Sequence, residues 1–176
     1  MANREALREL QARLASRLQA AKAEGLSISW LAVRAGGDNY LLPLAQSGEI
    51  FPLSNVQSVP YVQPWFLGVM NLRGGLYGVV DLAVFIQPGA TPRRAENRLV
   101  EARVVTLNAA LEVNCALLVD ELAGLRQVNS FTDSQPPLKD APACFGNRYA
   151  DADGGHWQEI NLQSLSRMPE FFAIGA

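Results

Sequence analysis

The chain has 176 residues, with 15 Lys and Arg against 17 Asp and Glu, a net charge of −2 that gives no electrostatic case for nucleic-acid binding. Hydrophobic residues at 49% suffice for a buried core, and the length fits one domain or two small subdomains sharing that core. The opening MANREALREL puts charges where a secretory signal needs an apolar run, and no stretch of about eighteen apolar residues occurs, so a cytoplasmic protein without direct membrane insertion is expected.

Residues 3–24 read as one helix. Leu7, Leu10, Leu14, Leu18 and Ala21 recur every three or four positions as a single stripe, Asn3 can cap the start and Gly25 the end. The rod would be on the order of 31 Å long. Its leucines can pack on the protein's own body, on a partner helix, or on a second copy, since four leucines so spaced can seed a short coiled coil.

After Gly25 the period changes to two. Ile28, Trp30 and Ala32 face one side and Leu31 and Val33 the other; Gly36-Gly37-Asp38-Asn39 predicts a turn, and a second strand runs over 40–44. Pro43 should put that strand at an edge or end it early. The segment 59–66, VPYVQPWF, is too apolar for an idle loop: it covers the core, or Tyr61 and Trp65 anchor an interface. An apolar run over 76–80 is a further strand. Pro88 to Pro92 breaks the chain, and Arg93, Arg94, Glu96 and Arg98 make a charged loop. Residues 99–107 and 111–119 predict a hairpin, with Leu111, Val113, Cys115, Leu117 and Val119 inward and Glu112 and Asn114 outward. Strands over 125–128 and 157–162 follow. Many short strands separated by Gly, Pro and Asn turns predict a mainly β, barrel-like architecture.

Catalytic and metal chemistry is missing. The single histidine, His156, has no evident partner, and with Cys115 and Cys144 it cannot make a four-ligand metal site of the usual kind. Cys115 reads as a small core residue, Cys144 as a free thiol in a loop. No phosphate-cradling glycine motif opens a helix. The run 151–155, DADGG, hints at calcium but lacks the bidentate Glu, so a solvated turn is expected. Asp120 and Glu121 are adjacent at a strand end and should face different ways. No enzyme, metal or cofactor is expected.

What remains is binding surface. Residues 68–82 read GVMNLRGGLYGVVDL, and Arg73 is the only Lys or Arg between Arg34 and Arg93. It is solvated in a plain β-turn, pairs internally, or points its planar fork at a partner. Glu49 beside Ile50 offers a charge next to an apolar contact, with Ile50 open to a turn, core or contact role.

Asn71-Leu72-Arg73-Gly74 followed by Val79-Val80-Asp81-Leu82 resembles the central signature of CheW-type chemotaxis coupling proteins. Glu49-Ile50, Pro60 and Gly68 keep that family's spacing, as do Leu117-Leu118-Val119-Asp120 with Leu125 and Val128, and Glu159-Ile160-Asn161-Leu162 with Leu165. Residues 26–168 are covered. Gly78, Ala83, Ser47 and Pro43 depart from the usual pattern, and the best likeness is to the PilI-type adaptors of type IV pilus (twitching motility) chemosensory systems.

The N-terminal helical extension over 1–25 lies outside the resemblance, which implies a CheW-like domain over 26–176. That domain would consist of two intertwined five-stranded SH3-like β-barrels on a shared hydrophobic core. It implies a non-enzymatic adaptor between the cytoplasmic tip of a methyl-accepting chemoreceptor and the regulatory domain of a CheA-like histidine kinase, recruited to membrane-bound receptor arrays. Glu49, Gly68 and Arg73 match receptor-contact positions, and Asn71, Leu72 and Gly74 shape the turn that presents Arg73. The kinase-contact residues are not identified by the match. The alternative is a scaffold that only self-assembles, through Leu7, Leu10, Leu14 and Leu18.

Overall fold

The computed structural model describes residues 29–90 and 99–176. The helix expected over 3–24, with its leucine stripe, and Arg93, Arg94, Glu96 and Arg98 lie outside the described residues. Among the described residues no helix is long and apolar enough to cross a membrane.

Strands β1 (Ser29–Ala35) and β2 (Asp38–Pro43) form the expected hairpin, with Ala35 opposite Asp38 across the Gly36-Gly37 turn. The chain then crosses to a second sheet through β3 (Ser47–Pro52), β4 (Phe66–Leu72) and β5 (Gly75–Asp81). Asp81 caps the short helix α1 (Leu82–Ile86), its carboxylate accepting from the Val84 amide at 3.2 Å. Strands β6 (Arg103–Leu107) and β7 (Cys115–Val119) complete that sheet. The chain returns to the first sheet with β8 (Glu121–Gln127), β9 (Phe131–Gln135), β10 (Phe145–Asp151) and β11 (His156–Ile160). Helices α2 (Leu162–Leu165) and α3 (Pro169–Phe172) follow.

The sheet orders are β8-β1-β2-β11-β10-β9 and β3-β6-β7-β5-β4. All neighbours are antiparallel except β2 with β11 and β5 with β7. The expected mainly β architecture of two small units on a shared core stands, and the expectation of two five-stranded barrels is corrected in one respect: the sheets have six and five strands, and both are open. The physical reason lies at their edges. In the first sheet the two outer strands are joined by the short turn Val128–Ser130, although the sheet curls enough to bring Phe131 of β9 within 5.8 Å of the Trp30 ring in β1. In the second sheet only one isolated bridge, Gln57 with Val69, joins the segment after β3 to β4.

The central strands are buried on both faces, as their sequences require. Leu31 and Val33 enter a core shared by the two sheets, where they meet Val105, Leu117 and Val119 beneath Leu162, Leu165 and Phe171. Trp30 and Ala32, on the opposite face, pack with Leu41, Tyr149 and Trp157. In β7, Cys115, Leu117 and Val119 face the shared core while Ala116 and Leu118 join Met70, Val79 and Val104. Pro43 ends β2, as its missing N–H demands.

Cys144 is a free thiol in a loop, as expected, but it is buried in the shared core, and burial pushes it to about 11 and Cys115 to about 12. The departures from the usual family pattern have local packing reasons. Buried Ser47 donates its hydroxyl to the Pro43 carbonyl at 2.9 Å, Gly78 leaves room for the Phe66 ring, and Ala83 is buried against Gly36.

Candidate protein-interaction site

Strands β4 and β5 are joined by Arg73 and Gly74, with Leu72 opposite Gly75. Both turn residues have positive φ, 50° and 82°, the geometry that matches the twist of a two-residue hairpin. Glycine adopts it freely, but for arginine it costs about 1–2 kcal/mol. Asn71 offsets part of that cost, its side-chain oxygen accepting from the Gly74 amide at 3.0 Å. Leu72 is buried in the second sheet's own core and anchors the turn from below.

The Arg73 guanidinium reaches across to the opposite edge of the same sheet. Its Nη2 lies 3.0 Å from Glu49 Oε2, and its central carbon lies 5.8 Å from the centre of the Phe51 ring. Glu49 is held by Thr106, whose hydroxyl accepts from the Glu49 amide at 2.8 Å and donates to the Glu49 carbonyl at 3.3 Å. An irregularity in register between Ser47 and Ile50 re-aims the strand at that point. The sheet thus rolls until its two edge strands meet side chain to side chain.

The magnitudes separate structure from surface. The Arg73 and Glu49 side chains are 74% and 55% exposed, and such a pair contributes about 0–1 kcal/mol. That is no more than the strain of holding Arg73 left-handed. The arrangement does little for stability and presents one cation, one anion and the half-exposed Ile50 on a rigid support.

Gly68 serves differently. It is buried, its φ is 137°, and a Cβ there would fall on the Gln57 carbonyl. Gln57 and Val69 exchange backbone hydrogen bonds of 2.8 and 2.9 Å directly above it. Gly68 lets two backbones touch and acts on the surface from beneath. Sequence reasoning missed Thr106 and Phe51, which complete the site; the alternation of β6 marks Thr106 as a polar residue among buried ones, but nothing local ties it to Glu49.

The segment 59–66 divides its roles. Trp65 packs on the shared core, stacked on Phe171 at 6.2 Å and edge-on to Phe85 at 5.1 Å. Tyr61 is 87% exposed with φ 57°, its carbonyl accepting from the Ala176 amide. A separate cleft of about 720 Å³ lies between the Gly37–Tyr40 stretch and the 136–141 loop, with Arg148 and His156 on its wall.

The Asp151 carboxylate closes the β10–β11 turn. It accepts from the Trp157 indole at 2.9 Å and from the Gly155 and Asp153 amides at 2.7 and 3.0 Å, which leaves it a structural cap. The indole bond and the Gly155 amide hold its pKa below the usual aspartate value. Asp120 and Glu121 do face different partners: Asp120 accepts from the Gly36 amide and Glu121 pairs with Arg34.

A model of the CheW-like domain matches residues 29–170. The chain is 31% identical over 131 residues to Protein PilI of Pseudomonas aeruginosa, covering 73% of this chain and 70% of that protein. The fold is similar to the crystal structure of scaffolding protein TtCheW from Thermoanaerobacter tengcongensis, with a TM-score of 0.64, 18% identity, and 82% of this chain and 95% of that one covered. At that identity the likeness is one of fold. With the signature around Arg73, the matched span and the relative in hand, the chain belongs to the CheW-like family and, within it, to the PilI type.

Proposed function

We propose that this chain is a non-enzymatic adaptor that couples a methyl-accepting chemoreceptor to a CheA-like histidine kinase. It would act in the cytoplasm at receptor arrays, in a chemosensory system controlling type IV pilus twitching motility. The observation that carries the reading is Arg73, held left-handed at the tip of a rigid hairpin with its guanidinium exposed beside Glu49. A bidentate cation so placed suits backbone carbonyls and carboxylates on a receptor tip, and Glu49 selects against acidic groups placed wrongly. Gly68, Asn71, Leu72 and Gly74 support that face rather than touch the partner. Each interface would bury about 1,200–2,000 Å² or less, weak enough to be remade during signalling.

The test is light scattering after gel filtration of the chain mixed with the regulatory domain of a CheA-like kinase from the same genome. A stable one-to-one species supports the adaptor, and Arg73→Glu should retain it while losing the receptor tip. No complex at tens of micromolar, with both proteins folded, overturns the coupling role and leaves the self-assembling scaffold as its replacement.

A further inference from the structure

The shared core is unfinished at one edge. Leu42 of β2, Leu31 of β1 and Leu125 of β8 form one row across three neighbouring strands, on the face that packs against the second sheet. Leu42 and Leu31 are buried at 0% and 5% exposure, but Leu125 is 65% exposed. Val128, just past the end of β8, and Leu44, whose amide donates to the Ser29 carbonyl at 3.0 Å, are also exposed. These three apolar side chains surround the first residue of β1, because Ser29 pairs with Gln127. Their polar neighbours Ser29, Gln127 and Asn129 carry no charge.

The chain enters β1 at this point. A four-residue linker reaches at most about 14 Å, so this patch is within reach of the sequence ahead of it. That sequence carries Leu7, Leu10, Leu14 and Leu18 as a single helical stripe, an apolar face with no function assigned to it. We infer that residues 3–24 dock in cis, laying this stripe over Leu125, Val128 and Leu44 and completing the shared core. A tether of four residues holds the segment at millimolar effective concentration, which favours it over a partner helix or a second copy. The inference does not depend on the coupling role.

The experiment measures thermal unfolding of the full chain carrying Leu125→Ser, Leu14→Ser or both, at two protein concentrations with the mass followed by light scattering. Cis docking predicts that each single change lowers Tm by about 5 °C, that the double change costs little more than either alone, and that a monomeric mass and concentration-independent Tm accompany both. The control is Leu76→Ser, a leucine of similar exposure (62%) on the other sheet, which should shift Tm by about 1 °C or less and add independently to Leu14→Ser. A Leu125→Ser shift no larger than that of Leu76→Ser overturns the inference. So do fully additive losses at Leu14 and Leu125. A coupling seen only at the higher concentration, with a doubled mass, also overturns it and assigns the patch to a second copy.

Discussion

The two sheets fill their private cores with different materials. The first encloses an aromatic cluster: Trp30 lies 4.8 Å from Tyr149, which lies 5.1 Å from Phe131, with Trp157 beside them. The second encloses mainly small and aliphatic side chains, among them Val79, Ala102, Val104, Ala116 and Leu118. Large rings fix the spacing of strands drawn from both ends of the chain. Small side chains let strands contiguous in sequence approach closely and roll until Glu49 and Arg73 meet. The Glu49–Arg73 pair belongs to the sheet whose strands all come from residues 47–119, whereas the exposed pair of the first sheet, Arg34 with Glu121, joins neighbouring strands β1 and β8. The aromatic core also tolerates an imperfection, because the buried Trp30 Nε1 finds no acceptor among the described residues.

The sharpest way to break this contrast is Trp30→Ala, which should destabilise the protein by about 3–5 kcal/mol in denaturant unfolding. Trp30→Phe should cost clearly less, because it removes a buried donor whose desolvation costs about 1–3 kcal/mol. Equal losses for the two changes would mean that the indole N–H is satisfied in solution. In the second sheet the weak point is backbone rather than ring. Gly68→Ala should cost about 2–4 kcal/mol by driving a methyl into the Gln57 carbonyl at a φ that L-residues avoid. A loss below about 1 kcal/mol would show that the Gln57–Val69 bridge is dispensable.

Next comes Asp151. Its folded pKa is depressed, chiefly by the Trp157 indole and then by the Gly155 amide, so the native state binds fewer protons than the unfolded chain. The resulting stability is present above the ordinary aspartate value of 3.8 and is lost as pH falls through the lower folded value. Asp151→Asn should therefore lower Tm at pH 7, and its deficit should shrink as both proteins are titrated below pH 3.8. A constant deficit across that range would locate the effect in packing. The smallest stability effect is expected at Arg73: Arg73→Glu should leave unfolding within about 0.5 kcal/mol of the parent while abolishing receptor-tip binding. Loss of folding instead would make Arg73 a structural residue.

Strands buried on both faces were legible because their alternation is strong: Trp30 and Ala32 separate from Leu31 and Val33, and Cys115, Leu117 and Val119 point to the shared core. Strands β9 and β10 were not. Phe131–Gln135 is an edge strand with exposed polar residues, and Phe145–Asp151 is interrupted by an irregular register at Gly146 and Asn147, so neither shows period two. The burial of Cys144 was not legible because it comes from a shared core built by distant strands, with the Asn161 amide also donating to its carbonyl at 2.7 Å. Around Arg73 the turn could be read from Asn71 and Gly74, but the clamp from Thr106 and the burial of Gly68 under Gln57 are contacts between distant segments that no local pattern encodes.

The first sheet pairs β1 and β2 with β8 and β11, and the Gln46 side chain accepts from the Leu162 amide 116 positions away. During synthesis the β1–β2 hairpin leaves the ribosome early and must wait, with Trp30 and Leu41 uncovered, for partners made last. The second sheet has every strand it needs once β7 has emerged. Long-range pairing of this kind is slow and exposes apolar surface meanwhile. A polypeptide cut short after β7 would hold one sheet's complement of strands and leave Trp30, Ala32 and Leu41 without Tyr149 and Trp157 to cover them. What covers that surface in the folded protein is supplied by β10 and β11, far along the chain from the hairpin they complete.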